Sequence, residues 1–96
     1  SEYFARQIFI AASMLSPQEC GVRHKIGVDK LMWGSDYPHP EGTWPNTKKR
    51  IHETFADVPE EEVRAMLGET AAKVYGFDTD ALAQHAERVG PLPNEI

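Results

Sequence analysis

Two short uncharged runs in the chain predict β-strands. The first is Gln7–Ser13, which is rich in β-branched and aromatic residues, and the second is Leu31–Ser35, with the sequence LMWGS. Apolar runs without polar alternation are typical of strands that are covered on both faces, as in parallel sheets. The sequence therefore predicts two buried parallel strands.

The segment between the two strands predicts a helix. Ser16 can cap its start, Pro17 suits the first helical position, and Glu19 completes a capping box. We expect the helix to run to about Ile26, with Gly27 ending it in a left-handed conformation. Strand, helix and strand form a βαβ unit, for which a right-handed crossover is expected.

The remainder of the chain predicts a run of helices. Their expected limits are Thr47–Phe55 with Asn46 as its cap, a helix that opens at 57–62 and ends at Gly68, Thr70–Tyr75 closed by Gly76, and a last helix from Asp78 or Thr79 to about Val89. Leu82, Ala86 and Val89 form a thin apolar face on the last helix. The tail, 91–96, is expected to be loose.

This layout is an α/β class with two parallel strands followed by several helices. Two strands make a poor sheet on their own. The apolar strands therefore need neighbours, from another chain or from the rest of a larger protein.

The residues that follow the second strand carry the candidate chemistry. If the strand alternates regularly, Met32, Gly34 and Asp36 share one face, while Trp33 packs on the other against helices. Pro38 and Pro40 prevent further ladder pairing, so Asp36 stands at the carboxyl end of a buried parallel strand, where barrel enzymes keep their chemistry. From position alone, Asp36 is either a metal ligand and base or a turn cap for nearby N–H groups.

Composition narrows the classes of function. The formal net charge of -5 argues against a nucleic-acid surface or an anionic membrane patch. The single cysteine, Cys20, is expected to be a small buried hydrophobe in a reducing, cytoplasmic setting. No run has the length of a membrane span. The 96 residues are too few for a complete eight-fold βα barrel, which takes about 250.

A family likeness rests on three segments. The run 26–39, with the sequence IGVDKLMWGSDYPH, resembles the C-terminal part of amidohydrolase-2 proteins, the relatives of aminocarboxymuconate semialdehyde decarboxylase in the metal-dependent hydrolase superfamily. The segments TWPN at 43–46 and GETAAKVYG at 68–76 also look like that family. The likeness covers roughly residues 1–77.

The resemblance implies a fold and a metal site. The family fold is a (β/α)8 TIM barrel, in which the two predicted strands would be the seventh and eighth. Asp36 would match the acid that ligates a divalent metal, often zinc, and orients or deprotonates its water. Substrates in the family are small carboxylated compounds that are hydrolysed or decarboxylated. The family's other metal ligands are histidines from an early His-x-His segment and from strands five and six, which have no counterpart in this sequence.

Two further residues are candidates for substrate binding. His39 faces substrate at the barrel mouth and assists proton transfer in one interpretation, and is a solvated loop histidine in the other. Trp44, together with Tyr37, either lines a substrate pocket or packs the loop. The other histidines and the acidic run 60–62 are expected at the solvated surface.

Two hypotheses follow. In the first, the chain is the C-terminal portion of a divalent-metal amidohydrolase, with Asp36 as ligand and base, and is inactive alone. In the second, it is a non-catalytic association module that pairs its unmatched strands with a second copy or with a partner.

Overall fold

The computed structural model describes residues 1–92 and residue 94. Of the predicted loose tail, residues 93, 95 and 96 lie outside the described part. The elements in chain order are α1 (Glu2–Gln7), β1 (Ile10–Ser13), α2 (Pro17–Gly21), α3 (Arg23–Ile26), a 3-10 turn (Val28–Lys30), β2 (Leu31–Gly34), α4 (Thr47–Phe55), α5 (Glu60–Arg64), a π-helical segment (Ala65–Glu69), α6 (Thr70–Tyr75) and α7 (Thr79–Val89). The predicted α/β layout of two strands followed by helices is confirmed.

The two strands form a parallel pair, as predicted. Ile10 lies opposite Leu31 and Ala12 lies opposite Trp33. These four side chains share one face and pack into the hydrophobic core, so the prediction that Trp33 packs against helices is confirmed. On the other face, Ala11 and Ser13 of β1 are exposed, whereas Met32 of β2 is buried. The prediction that both strands are buried was therefore wrong for β1, which has no neighbouring element over that face among the described residues.

The first strand is shorter than predicted. Gln7 ends α1, whose start is capped by the Ser1 side chain, and β1 begins only at Ile10. The prediction of a strand from Gln7 was therefore wrong by three residues. The reason is the partner: β2 has four residues, and Ile10 pairs with its first, Leu31.

The helical crossover starts as predicted and ends differently. The capping box is present, with the Glu19 N–H donating to Ser16 Oγ and the Ser16 N–H donating to the Glu19 carboxylate. The helix is interrupted at Val22, next to Gly21, so that α2 and α3 are separate. Gly27 has φ 111° and ψ 118°, which is a positive φ but not the expected left-handed helical cap.

Helix α4 has the predicted limits, and it supplies much of the core. Ile51 and Phe55 are buried, as their spacing predicted. The Asn46 side chain makes no capping hydrogen bond, which corrects that assignment. The buried apolar residues that form the core cluster are Leu15, Cys20, Leu31, Ile51, Phe55 and Met66.

The chain remains helical through Gly68, where a helix end was predicted. The π-helical segment carries the backbone from α5 into α6, and both flanking residues, Arg64 and Thr70, are right-handed helical. It buries Met66 to 1% exposure. Burial of the Met66 side chain stabilises the helical path through Gly68. A glycine in a helix interior costs only about 1 kcal/mol, which tertiary packing overrides.

Glu62 is not the solvated residue that its acidic run predicted. Its carboxylate lies 2.5 Å from Arg23 Nε and 3.3 Å from His24 Nε2. Both Arg23 and Glu62 are largely buried. This ion pair joins α3 to α5, and such long-range pairing cannot be inferred from a local run of acids.

Helix α7 begins at its predicted cap, with Asp78 Oδ1 accepting from the Ala81 N–H at 3.0 Å. None of its residues is buried. Leu82 is 48% and Val89 is 74% exposed, so the predicted apolar face exists but is not covered.

Candidate functional site

The candidate site begins where β2 ends. Asp36 has φ 57°, in the left-handed region that residues other than glycine seldom adopt and that Asp tolerates better than most. The strand's alternation therefore stops before Asp36, and the expectation that Asp36 continues the face of Met32 and Gly34 was wrong. The turn of the backbone, not the pleat of the strand, sets the direction of the Asp36 side chain.

Asp36 and His39 form a pair on the loop. His39 Nδ1 lies 3.4 Å from Asp36 Oδ2, and the two side chains are 56% and 41% exposed. The Glu41 N–H also points to His39 Nδ1, at 3.4 Å. The His39 N–H donates to the Asp36 carbonyl at 2.8 Å, which closes the turn that brings the two side chains together. A carboxylate and an imidazole in this relation can bind a cation or exchange a proton.

Tyr37 and Trp44 pack on each other across the same loop. Their ring centroids are 6.0 Å apart at an interplanar angle of 71°, an edge-to-face arrangement. Tyr37 is 65% and Trp44 is 66% exposed, so both rings also keep open surface. The two rings contact each other, as the packing interpretation expects, and the substrate-binding role of Trp44 stays a prediction.

Gly42 and Thr43 complete the site, although the sequence analysis gave neither of them a role there. Thr43 is buried, and its N–H donates to the Ser35 carbonyl at 2.9 Å. Gly42 donates to the His39 carbonyl at 2.8 Å. The loop thus returns to the residue that precedes Asp36. A Gly-Thr pair directly before the Trp-Pro turn was the available signal, but its partner eight residues earlier is visible only in the fold.

The donor set fits a zinc site in part. Asp36 offers a carboxylate oxygen and His39 an imidazole nitrogen, both of which zinc accepts. Within the described residues, no group of three His, Cys, Asp or Glu side chains is arranged to hold a metal ion. Because catalytic zinc usually takes three protein ligands, Asp36 and His39 could supply at most part of a zinc site.

A large cleft lies elsewhere. It has a volume of about 1040 Å³ and lies between α7 and the helices from α4 to α6, with Phe55, Leu67, Phe77 and Leu82 among its lining residues. Neither Asp36, His39 nor Trp44 lines it. The chemistry of the loop after β2 is therefore separate from this apolar cleft. No helix in the described part of the chain has the length and apolarity that a membrane crossing requires.

Comparison with known proteins gives one match. Residues 6–77 match a protein-family model described as amidohydrolase. The matched span contains both strands, the loop with Asp36 and the helices through α6, and it stops before α7. No curated protein and no solved structure matches the chain.

Proposed function

The chain belongs to the amidohydrolase family, and from this premise we propose that it forms the part of a (β/α)8 barrel that carries strands seven and eight. The enzyme would be a divalent-metal-dependent hydrolase or decarboxylase of small carboxylated substrates. One observation carries the proposal: within the matched span, a parallel strand ends at Gly34, two residues before Asp36. In barrel enzymes the catalytic residues come from this end of the strands.

Asp36 is the proposed ligand and base. A bound zinc ion supplies Lewis acidity and lowers the pKa of a coordinated water toward neutrality. The Asp36 carboxylate, open to solvent and held by its own turn, would bind the metal through one oxygen and accept or orient a proton with the other. The remaining ligands would come from histidines outside these 96 residues, so we expect the isolated chain to bind metal weakly and not to turn over substrate.

His39 and Trp44 are proposed to meet the substrate. His39 stands beside Asp36 and has a second ring nitrogen, Nε2, that can exchange a proton with a substrate group. Trp44 presents an open ring face on the same loop, which suits a flat or unsaturated carboxylated compound. The exposure of both side chains supports this role.

A paramagnetic probe tests the metal role in the chain as it stands. Mn²⁺ added in small amounts to the 15N-labelled chain should broaden the NMR signals of residues 36–39 first, even at weak affinity. Asp36→Asn should abolish the broadening there. Asp29→Asn is the matched control, because Asp29 is an exposed aspartate before the other end of β2. Equal broadening in the wild type and Asp36→Asn would sink the role of Asp36.

One observation favours the second hypothesis, in which the chain associates through its unmatched strands. In the described part of the chain, β1 and β2 pair only with each other, and Ala11 and Ser13 on the far face are exposed. Among the described residues, the outer edge of each strand is therefore unpaired, and such an edge can pair with a strand of a second chain. Light scattering over a range of concentrations decides this: self-association requires a dimer or larger species, and a monodisperse folded monomer at all concentrations rules it out.

A further inference from the structure

The loop that carries Asp36 is closed by a set of contacts that the chemistry described above does not use. These contacts go to the backbone carbonyls of Ser35 and His39, which lie on either side of Asp36. They come from Gly42 and Thr43, which we refer to as the clamp.

The backbone of Asp36 needs outside support. A left-handed φ of 57° is unfavourable for a residue with a Cβ atom, and it persists where the surrounding structure fixes it. The Tyr37 N–H to Ser35 Oγ contact, at 3.3 Å, and the His39 N–H to Asp36 carbonyl bond are local to the turn. Local bonds of this kind are made by many turns and do not tie the turn to the rest of the molecule.

Thr43 supplies that tie. Its N–H donates to the Ser35 carbonyl at 2.9 Å, and its hydroxyl lies 3.4 Å from the same oxygen. The hydroxyl is also 3.0 Å from Thr47 Oγ1. Each hydroxyl has one proton, so the arrangement that uses both contacts has Thr47 donating to Thr43 and Thr43 donating to Ser35. This short chain of hydrogen bonds connects the peptide before Asp36 to the first residue of α4.

Because Thr43 is buried, its hydroxyl depends on its hydrogen bonds to other protein groups. Thr43 is 4% exposed, so a hydroxyl without partners there would cost free energy that water could not restore. Gly42 permits the close approach: a Cβ at this position would lie 2.7 Å from the Ser35 carbonyl oxygen, 2.8 Å from that of Asp36 and 2.9 Å from that of His39. All three are backbone atoms, so the crossing of the two segments requires glycine.

We propose that Thr43 is a positioning residue for Asp36, acting through the Ser35 carbonyl and the hydroxyl of Thr47. This role requires no contact between Thr43 and a substrate or metal. The proposal deepens the proposed function and rests on it for its catalytic meaning, but its geometric claim is independent of any metal.

The test compares Thr43→Val, which keeps the shape and loses the hydroxyl, with Thr43→Ser, which keeps the hydroxyl. The measurement is the NOE between the N–H and Hα of Asp36 in the full chain, which is strong at positive φ and weak at negative φ. We expect the strong NOE in the wild type and in Thr43→Ser, and its loss in Thr43→Val. A strong NOE that persists in Thr43→Val would overturn the proposal.

Thr54→Val is the matched control. Thr54 is another buried threonine, 7% exposed, whose hydroxyl donates to a backbone carbonyl, that of Leu15, at 2.7 Å. Thr54 lines the same small cavity as Thr43, but its bond goes to Leu15 and not to the loop of Asp36, so the Asp36 NOE should remain. Its loss in Thr54→Val as well would show a general loosening of the fold and would refute a specific role for Thr43.

A second measurement needs no variant and covers the case in which Thr43→Val does not fold. In the wild type, the amides of His39, Gly42 and Thr43 should resist hydrogen exchange to a similar degree, because they close one unit. A Thr43 amide that exchanges as fast as an unstructured amide would overturn the clamp. If Mn²⁺ fails to broaden residues 36–39 in the wild type, the metal role fails, and the NOE comparison still decides the positioning role.

Discussion

Helix α4 buries Ile51, Thr54 and Phe55, whereas helix α7, of similar length, buries none of its residues. Both helices carry apolar residues at helical spacing. The difference lies in what faces them: α4 meets the core cluster that includes Leu31 and Cys20, while α7 forms one wall of an open cleft. An apolar stripe therefore indicates which side of a helix can be buried, and not whether a partner covers it.

The limits of the family match also separate α4 from α7. The matched span, 6–77, includes α4 and ends before α7. Helix α4 also starts at Thr47, the hydroxyl partner of Thr43, so it connects the core to the loop of Asp36. Stability and the candidate site are thus linked through α4, and the four predictions that follow test this contrast in order of decreasing effect.

The largest effect is expected from Phe55→Ala. Phe55 is 5% exposed in the core cluster, so truncation leaves a cavity and should lower the free energy of unfolding by about 3–5 kcal/mol. Phe77→Ala is the matched control, since Phe77 is 55% exposed beside α7. Urea unfolding followed by circular dichroism measures both. Equal losses in the two variants would contradict the contrast between the helices.

Alkaline pH should lower the free energy of unfolding through Cys20, which belongs to the core cluster that α4 contacts. Burial raises the pKa of the Cys20 thiol above its ordinary value, while Arg23 nearby partly lowers it. The unfolded chain then ionises Cys20 before the folded chain does, so stability is complete below the ordinary thiol pKa and declines as the pH rises toward the raised value. The free energy of unfolding should fall less steeply with rising pH in Cys20→Ala than in the wild type. Identical slopes would exclude this role for the thiol.

Asp78→Ala should affect α7 alone. The variant loses the capping bond to the Ala81 N–H, which is typically worth about 1 kcal/mol to a helix. We expect faster hydrogen exchange along α7 and an unchanged rate at Ile51 in α4, because α7 buries nothing that the core needs. A fall in protection at Ile51 would show that α7 is coupled to the core after all.

The smallest effect is expected from Leu82→Ala. Leu82 is 48% exposed on the cleft side of α7, and surface substitutions of this kind are usually within about 0.5 kcal/mol. Urea unfolding of Leu82→Ala and of the wild type measures the difference in the free energy of unfolding. A loss as large as that of Phe55→Ala would mean that the cleft is closed over Leu82 in solution.

Much of the candidate site was within reach of the sequence. The position of Asp36 after a parallel strand, the neighbourhood of His39 and the contact between Tyr37 and Trp44 depend on a span of nine residues. Short loops bring such neighbours together almost regardless of the rest of the fold. The left-handed backbone of Asp36 and the bonds of Thr43 were not predicted, because they depend on how the loop closes.

By itself the sequence determined the features whose partners lie within a few residues: the capping box of Ser16 and Glu19, the limits of α4, the Asp78 cap and the left-handed Gly76 that ends α6. Hydrogen bonds between near neighbours form in the same way in most surroundings.

Only the tertiary structure decided the features whose partners are distant. These are the start of β1 at Ile10, set by the four residues of β2; the helix continuing through Gly68, with Met66 buried; the pairing of Glu62 with Arg23; and the uncovered side of α7. Each reflects burial or pairing across long stretches of chain. Such contacts are selected by the free energy of the whole packed arrangement and not by local preference.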